Sequence, residues 1–314
     1  MSPESKRQML KDRALFLQKA RSFFIERDFL EVDTPLLSTS APIDEHIDIM
    51  TVSTGSHPGY LHSSPEYAMK RLLSLGVGDI FQLSHVFRKG EIGALHNPEF
   101  TLVEWYRVNK SFPSFIEESV AFIRLFLGPL PFRLLTYREA FLQFAEIDYL
   151  SASLPDLFSA AQKHGVHLSS TTSLDKEGLL HLLMGFVIEP NLGKEEIVVL
   201  TDYPASQAAL AVTEQKGEEI VAKRFEIYYQ GIELANGYLE LSDAIEQEKR
   251  FIEALTKRRQ AGKEDLPIDR HLLQALQKGF PPCCGVAAGF DRLFLLQQKA
   301  TTLQEVLPFA WEEL

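Results

Sequence analysis

Near the N-terminus, Leu10, Leu17 and Phe24 stand seven apart with Ala14 and Ala20 between them, a spacing that predicts a long amphipathic helix over residues 6–28. Residues 29–37 read as a strand. Pro35 cannot donate to a ladder, so this segment belongs at a sheet edge or an interface. A second helix is expected from Ser64-Pro65-Glu66, with serine as the cap, proline in the first turn and Gly76 as the stop. Residues 80–88 and 101–108 are strand candidates joined by a loop over residues 89–100. Residues 112–196 read as a mainly helical insertion. Strands are expected again at 197–200 and 225–241, followed by a helix capped by Ser242 and running to about Gly262. Last come a strand of small residues at 285–289 and a helix from Asp291. Mixed blocks of this kind, without regular βαβ alternation, predict an α+β fold with a mainly antiparallel sheet.

Composition narrows the class. Of 314 residues, 45% are hydrophobic and 24% charged, with a formal charge of −11. That is a globular balance, and its sign argues against a broad nucleic-acid surface. No apolar run reaches membrane-spanning length, no secretory signal core opens the chain, and no repeat is visible. The two cysteines are the adjacent Cys283 and Cys284, so a disulfide framework and a CxxC-type zinc site are both excluded. A reducing cytoplasm is the expected compartment.

The chemistry concentrates in a few segments. No phosphate-binding P-loop, dinucleotide fingerprint, nucleophile elbow or HExxH helix occurs. The cluster Asp44-Glu45-His46-Ile47-Asp48 is expected to be a solvated strand edge. On a strand, Glu104 and Tyr106 share a face, and a carboxylate beside a phenol facing inward suits an ammonium group. Arg88 and Phe100 flank one loop, a cation and an aromatic fitted to a triphosphate and a stacked purine. In Gly289-Phe290-Asp291-Arg292, an arginine in a helix's first turn opposes the macrodipole, which close approach to a nucleotide would explain. Glu233 and Glu240 bracket Asn236-Gly237 near an expected bulge or turn, where two carboxylates suit Mg²⁺.

Together these residues resemble the catalytic core of class II aminoacyl-tRNA synthetases, and within them the lysyl type. The helix leading into residues 30–37 with Pro35 resembles motif 1, the family's dimer interface. Phe87-Arg88 through Tyr106 resembles motif 2, and residues 285–292 resemble motif 3. Gly231-Ile232-Glu233-Leu234-Ala235-Asn236-Gly237 with Glu240 is similar to the metal-binding strand. The likeness runs over roughly residues 6–314, as one catalytic domain without an anticodon-binding domain, since the chain opens directly on motif 1. It is strongest to the freestanding branch that attaches (R)-β-lysine to a lysine of elongation factor P. That branch carries Ser-Pro-Glu where synthetases carry Ala-Pro-Glu, and alanine where motif 3 of synthetases has glycine; here these are Ser64-Pro65-Glu66 and Ala287. One departure is that Phe87-Arg88-Lys89-Gly90 sets Glu91 one place later than the family's Phe-Arg-x-Glu.

The resemblance implies ATP and Mg²⁺, lysine or (R)-β-lysine as substrate, elongation factor P as acceptor, and a homodimer through the region around Pro35. It implies that Arg88 and Arg292 are catalytic. Arg88, Lys89, Gly90, His96, Asn97, Phe100, Glu233, Leu234, Gly289 and Arg292 would line the ATP site. Ser64, Pro65, Glu66, Glu104, Tyr106, Glu240 and Ala287 would bind the amino acid, and Glu233 and Glu240 would ligate the metal. Two alternatives stay open at this point: a truncated synthetase that charges tRNA with α-lysine, and a catalytically dead regulatory paralogue.

Overall fold

The computed structural model describes residues 2–55, 57–166 and 174–314. They form two compact units, Met1–Gly128 with Glu240–Leu314, and Pro129–Leu239. The first unit opens with α1 (Pro3–Ile25), β1 (Leu30–Glu31), β2 (Leu37–Ser38), β3 (Met50–Ser53) and β4 (Pro58–Leu61). It continues with α2 (Glu66–Leu73), β5 (Ile80–Phe87), β6 (Glu99–Val108) and α3 (Phe112–Leu127). The second unit holds β7 (Phe132–Thr136), α4 (Tyr137–Ala140), α5 (Leu154–Lys163) and α6 (Lys176–Leu183). Its remaining strands are β8 (Ile197–Pro204), β9 (Thr213–Lys216), β10 (Glu219–Tyr229) and β11 (Ile232–Leu239). The chain then returns to the first unit with α7 (Ala244–Gln260), α8 (Arg270–Gln277), β12 (Cys283–Gly289) and α9 (Phe290–Gln298).

In the first unit β5 pairs antiparallel with β6, and β6 antiparallel with β12, while β1 adds a short parallel edge to β5. Alternation along these strands separates two faces. Phe81, Trp105 and Val103 point into an aromatic core with Phe24 of α1 and Phe122 of α3, all fully buried. Phe24 stacks on Phe81 at 4.6 Å between ring centroids and lies 5.1 Å from Trp105 and 5.2 Å from Phe122. The opposite face of the same strands carries Glu104, Tyr106, Gly285 and Ala287. In the second unit β7 runs parallel to β8, and β10 pairs antiparallel with β8, β9 and β11. Its own core gathers Tyr137, Phe141, Leu157, Leu183, Val198 and Tyr228. The expected α+β class with a mainly antiparallel sheet is what the structure has.

Several local expectations change. The buried stripe of α1 is Met9, Arg13, Phe16, Ala20, Phe23 and Phe24, whereas Leu10 is exposed and Leu17 half-buried. The stripe is one residue out of phase with the expected Leu10–Leu17–Phe24 series, because Phe16 and Phe23 bring more area to the aromatic core. The strand expected over 29–37 survives only as β1 and β2. Between them Thr34 leaves the ladder and gives both its N–H and its hydroxyl to Gln82 Oε1, at 3.1 and 2.9 Å. Residues 44–48 form a loop, not a strand edge, because Asp44 Oδ1 accepts the amides of His46 and Ile47. The expected strand at 225–241 is two strands, reversed at Gln230 and Gly231, both at positive φ. Asp243, not Ser242, caps α7, accepting from the amides of Ile245 and Glu246. Residues 112–196 contribute α3 to the first unit and the strand β7 with α4–α6 to the second, and positions 167–173 lie outside the described residues.

Truncating Phe24 to Ala should lower stability by about 3–5 kcal/mol, as for other buried aromatics. Leu75→Ala, at a site 75% exposed, should change it by less than about 0.5 kcal/mol. Urea denaturation midpoints of the two variants check this.

Candidate active site

Register on one face of β6 sets the site. Glu104 stands opposite Ala287 and Tyr106 opposite Gly285 across the β6–β12 ladder. Glu104 is buried, with both carboxylate oxygens engaged: Ser64 Oγ donates to one at 2.6 Å and the Tyr106 hydroxyl to the other at 2.7 Å. Ser64 Oγ also accepts the amide of Glu66 at 3.0 Å, and α2 begins at Glu66, one residue later than the expected start. Serine and proline thus set the angle at which α2 enters, and Glu66 sits in its first turn.

One turn further along α2, Lys70 comes back over the same face. Its ammonium, 1% exposed, lies 2.7 Å from Glu66 Oε1 and 2.5 Å from Glu240 Oε2. Glu240 is held beside β12 by its amide, which donates to the Cys283 carbonyl at 3.0 Å. Its other oxygen, Oε1, is buried and has no hydrogen-bond partner among the described residues. A Cβ at position 285 would fall 2.3 Å from that oxygen and 2.3 Å from the Tyr106 ring, so only glycine fits there. Three carboxylates therefore converge on one pocket face with a single lysine among them.

Crowding of this kind raises carboxylate pKa values. Burial, and next the charge of Glu66, push Glu104 up to about 8, while the Ser64 and Tyr106 hydrogen bonds pull the other way. Glu240 is raised as well, by burial first, with Lys70 opposing. Burial and the neighbouring carboxylates push the Tyr106 phenol well above its usual range, so it stays a donor. Without a ligand, the pocket holds acidic groups that would ionise readily beside an incoming ammonium.

A second constellation gathers at the start of β6 and the start of α9. The Arg88 guanidinium lies 5.0 Å from the centre of the Phe100 ring, with Nε buried and unpartnered among the described residues. Gly90 takes φ +80°, and the chain turns there so that Glu91 comes back to Arg88 at 3.7 Å. The one-place offset in the motif is thus absorbed by a glycine in the left-handed region. Lys89 and Gly90 are exposed on the loop, and the Lys89 amide donates to the Asp48 carbonyl at 2.8 Å. Arg292 donates to His96 Nε2 at 2.8 Å and toward the Leu95 carbonyl at 3.4 Å. Burial and the neighbouring Arg292 lower the His96 pKa, which suits its role as acceptor. Asn97 is engaged by the Glu99 carbonyl and the Trp311 amide. Gly289 is the residue before α9.

What joins Phe100 to Arg292 is an ion pair that the sequence did not disclose. Asp291 accepts the Thr101 amide at 2.7 Å, and Arg13 of α1 reaches Asp291 at 2.6 Å and Thr101 Oγ1 at 3.0 Å. Residues on either side of this knot, Phe100 and Arg292, are thereby fixed to one another's strand and helix. Lys70 and Gly285 were missed too. A Glu–Lys pair four apart is the ordinary pattern of an exposed helix, so only burial distinguishes this one. Glu233 and Leu234 lie on β11 of the second unit, where Leu234 is buried. The ladder irregularity falls between Ile227 and Tyr228, opposite residues 233–235, and not at Asn236-Gly237.

The sequence matches the family described as tRNA synthetases class II (D, K and N) over residues 1–313, and the chain belongs to that family. Within the known proteins it is 43% identical, over 303 residues, to an elongation factor P–(R)-β-lysine ligase of Salmonella arizonae. The alignment covers 95% of this chain and 93% of that relative.

An ammonium ligand beside Glu104 should displace the carboxyl proton that burial retains. Affinity for a diamino acid should therefore tighten as pH rises from about 6 towards 8, levelling off above Glu104's pKa of about 8. Calorimetry at pH 6 and pH 8, in buffers of different ionisation enthalpy, should show release of about one proton at pH 6 and about half as much at pH 8.

Proposed function

We propose that this chain uses ATP to activate (R)-β-lysine, or lysine, as an aminoacyl-adenylate, and transfers the aminoacyl group to a lysine side chain of elongation factor P. The observation that carries the reading is 43% identity across 95% of the chain to a ligase of that name. The pocket supports it. Glu104 and Tyr106 would take the distal ammonium, and Glu66 the amino group nearer the carboxylate, with Ser64, Pro65 and Ala287 shaping the space between.

In the first step a substrate carboxylate oxygen attacks the α-phosphorus and pyrophosphate leaves. Arg88 would meet the α-phosphate, and its buried, unpartnered Nε supports a role toward an anion. Phe100 and Arg292 would enclose the adenine, with His96, Asn97, Gly289, Lys89 and Gly90 around the nucleotide. In the second step the acceptor amine attacks the activated carbonyl, AMP leaves, and an amide forms. Position and electrostatics carry this chemistry, since the phosphoryl transition state asks for little else. Glu240 offers a buried oxygen, unpartnered among the described residues, of the hard kind Mg²⁺ takes. When bound, the ion would neutralise phosphate charge.

The dimer expected around Pro35 is supported by apolar side chains left exposed there. Leu30, Leu36 and Leu37 are each 39% exposed or more. The two cysteines are buried free thiols, which fits the reducing cytoplasm where an elongation factor works. Among the described residues no helix is long and apolar enough to cross a membrane.

ATP–pyrophosphate exchange should depend on (R)-β-lysine or lysine, and elongation factor P should gain one lysyl residue by mass. Arg88→Ala should lower exchange by about 10³-fold or more while the protein stays folded. Exchange that needs no diamino acid, or transfer to tRNA in place of the factor, would overturn the reading. Leu36→Asp should shift the sedimenting species from dimer to monomer.

A further inference from the structure

The Lys70 ammonium bridges two carboxylates inside the pocket and is itself 1% exposed. It contacts Glu66 through one oxygen and Glu240 through one oxygen. A buried pair of this sort is a poor stability device, because desolvation of the ions offsets most of their attraction. Its placement has another consequence. With Lys70 in place, each carboxylate has one oxygen tied down, and Glu240 Oε1, unpartnered among the described residues, lies at the space that Gly285 leaves open beside Tyr106. Three carboxylates and one ammonium leave room for two further positive charges on this face.

We propose that Lys70 is a positioning residue for the amino acid, an internal cation that orients Glu66 and Glu240 and sets the pocket's charge to match a substrate with two ammonium groups. This rests on the reading that the pocket activates a lysine-type amino acid. The amino-acid end depends on Lys70 because removing the bridging cation leaves Glu66 and Glu240 to repel each other and lose their fixed orientation. Arg88, Phe100 and Arg292 are not among the groups that Lys70 contacts, so it reaches the nucleotide end through Glu240 alone and the larger effect falls on the amino acid.

The test uses the full chain with Lys70→Gln, which keeps a hydrogen-bond donor and loses the charge, and Lys70→Arg, which keeps the charge. In ATP–pyrophosphate exchange, Lys70→Gln should raise KM for the diamino acid about tenfold or more, and by a larger factor than KM for ATP. Lys70→Arg should hold KM for the diamino acid within about threefold of the parent. The proposal is overturned if Lys70→Gln leaves KM for the diamino acid within about twofold of the parent. It is also overturned if Lys70→Arg and Lys70→Gln behave alike, which would mean that shape and not charge matters. A parent protein that exchanges with no diamino acid is a separate result: it removes the functional reading, and this proposal with it.

Discussion

The packing of β6 between β5 and β12 governs the first unit, because each residue of β6 must serve one of two opposed faces. Trp105 and Val103 turn into the aromatic core, where Phe24, Phe81 and Phe122 close around the indole. Burial of these rings is worth several kcal/mol and admits only one register, since a slip by one residue would drive Glu104 and Tyr106 into the core. The same pairing therefore places the acidic groups on the other face without any side-chain contact having to choose it. Gly285 follows from this. With Tyr106 opposite and Glu240 alongside, position 285 has no room for a Cβ.

Buried carboxylates are costly, and the way each is compensated tells what the face is for. Glu104 is satisfied by two hydroxyl donors, neither of which brings charge. Its pKa is accordingly high, and an ammonium arriving there would gain a full charge pair. Glu66 and Glu240 share the one internal cation. A structure built only for stability would have placed apolar residues here. The polar face persists beside a well-packed core, so the imbalance belongs to binding. The nucleotide side follows a different rule: Arg13, Asp291 and Thr101 satisfy one another, while Arg88 lies over the Phe100 ring.

Much of this was legible in the sequence where the signal was local. Alternation placed Glu104 and Tyr106 together, and the small-residue run before Arg292 marked β12 and α9. Signals failed where the decisive contact was remote. In α1, Arg13 occupies the buried stripe because Asp291 receives it from far along the chain, and a hydrophobic pattern counts arginine as polar. The loop over residues 44–48 is held by Arg258, whose guanidinium donates to the Asp44 and Ile47 carbonyls at 2.7 Å, and no local spacing announces that. Lys70 failed for the opposite reason: its spacing from Glu66 is so common on exposed helices that it carries no information without burial.

The two positions that separate this branch from tRNA-charging relatives, Ser64 and Ala287, meet at a single carboxylate. Ser64 fills one oxygen of Glu104, and Ala287 stands across the ladder from it. Ser64 also accepts the amide of Glu66, so it ties Glu104 to the first turn of α2. The Ser64 hydroxyl occupies one oxygen of Glu104, and the Ala287 methyl, which can donate nothing, takes up space beside it on the same face. Residues that share a partner do not act independently. Ser64 and Ala287 are thus better understood as one environment for Glu104 than as two separate contacts.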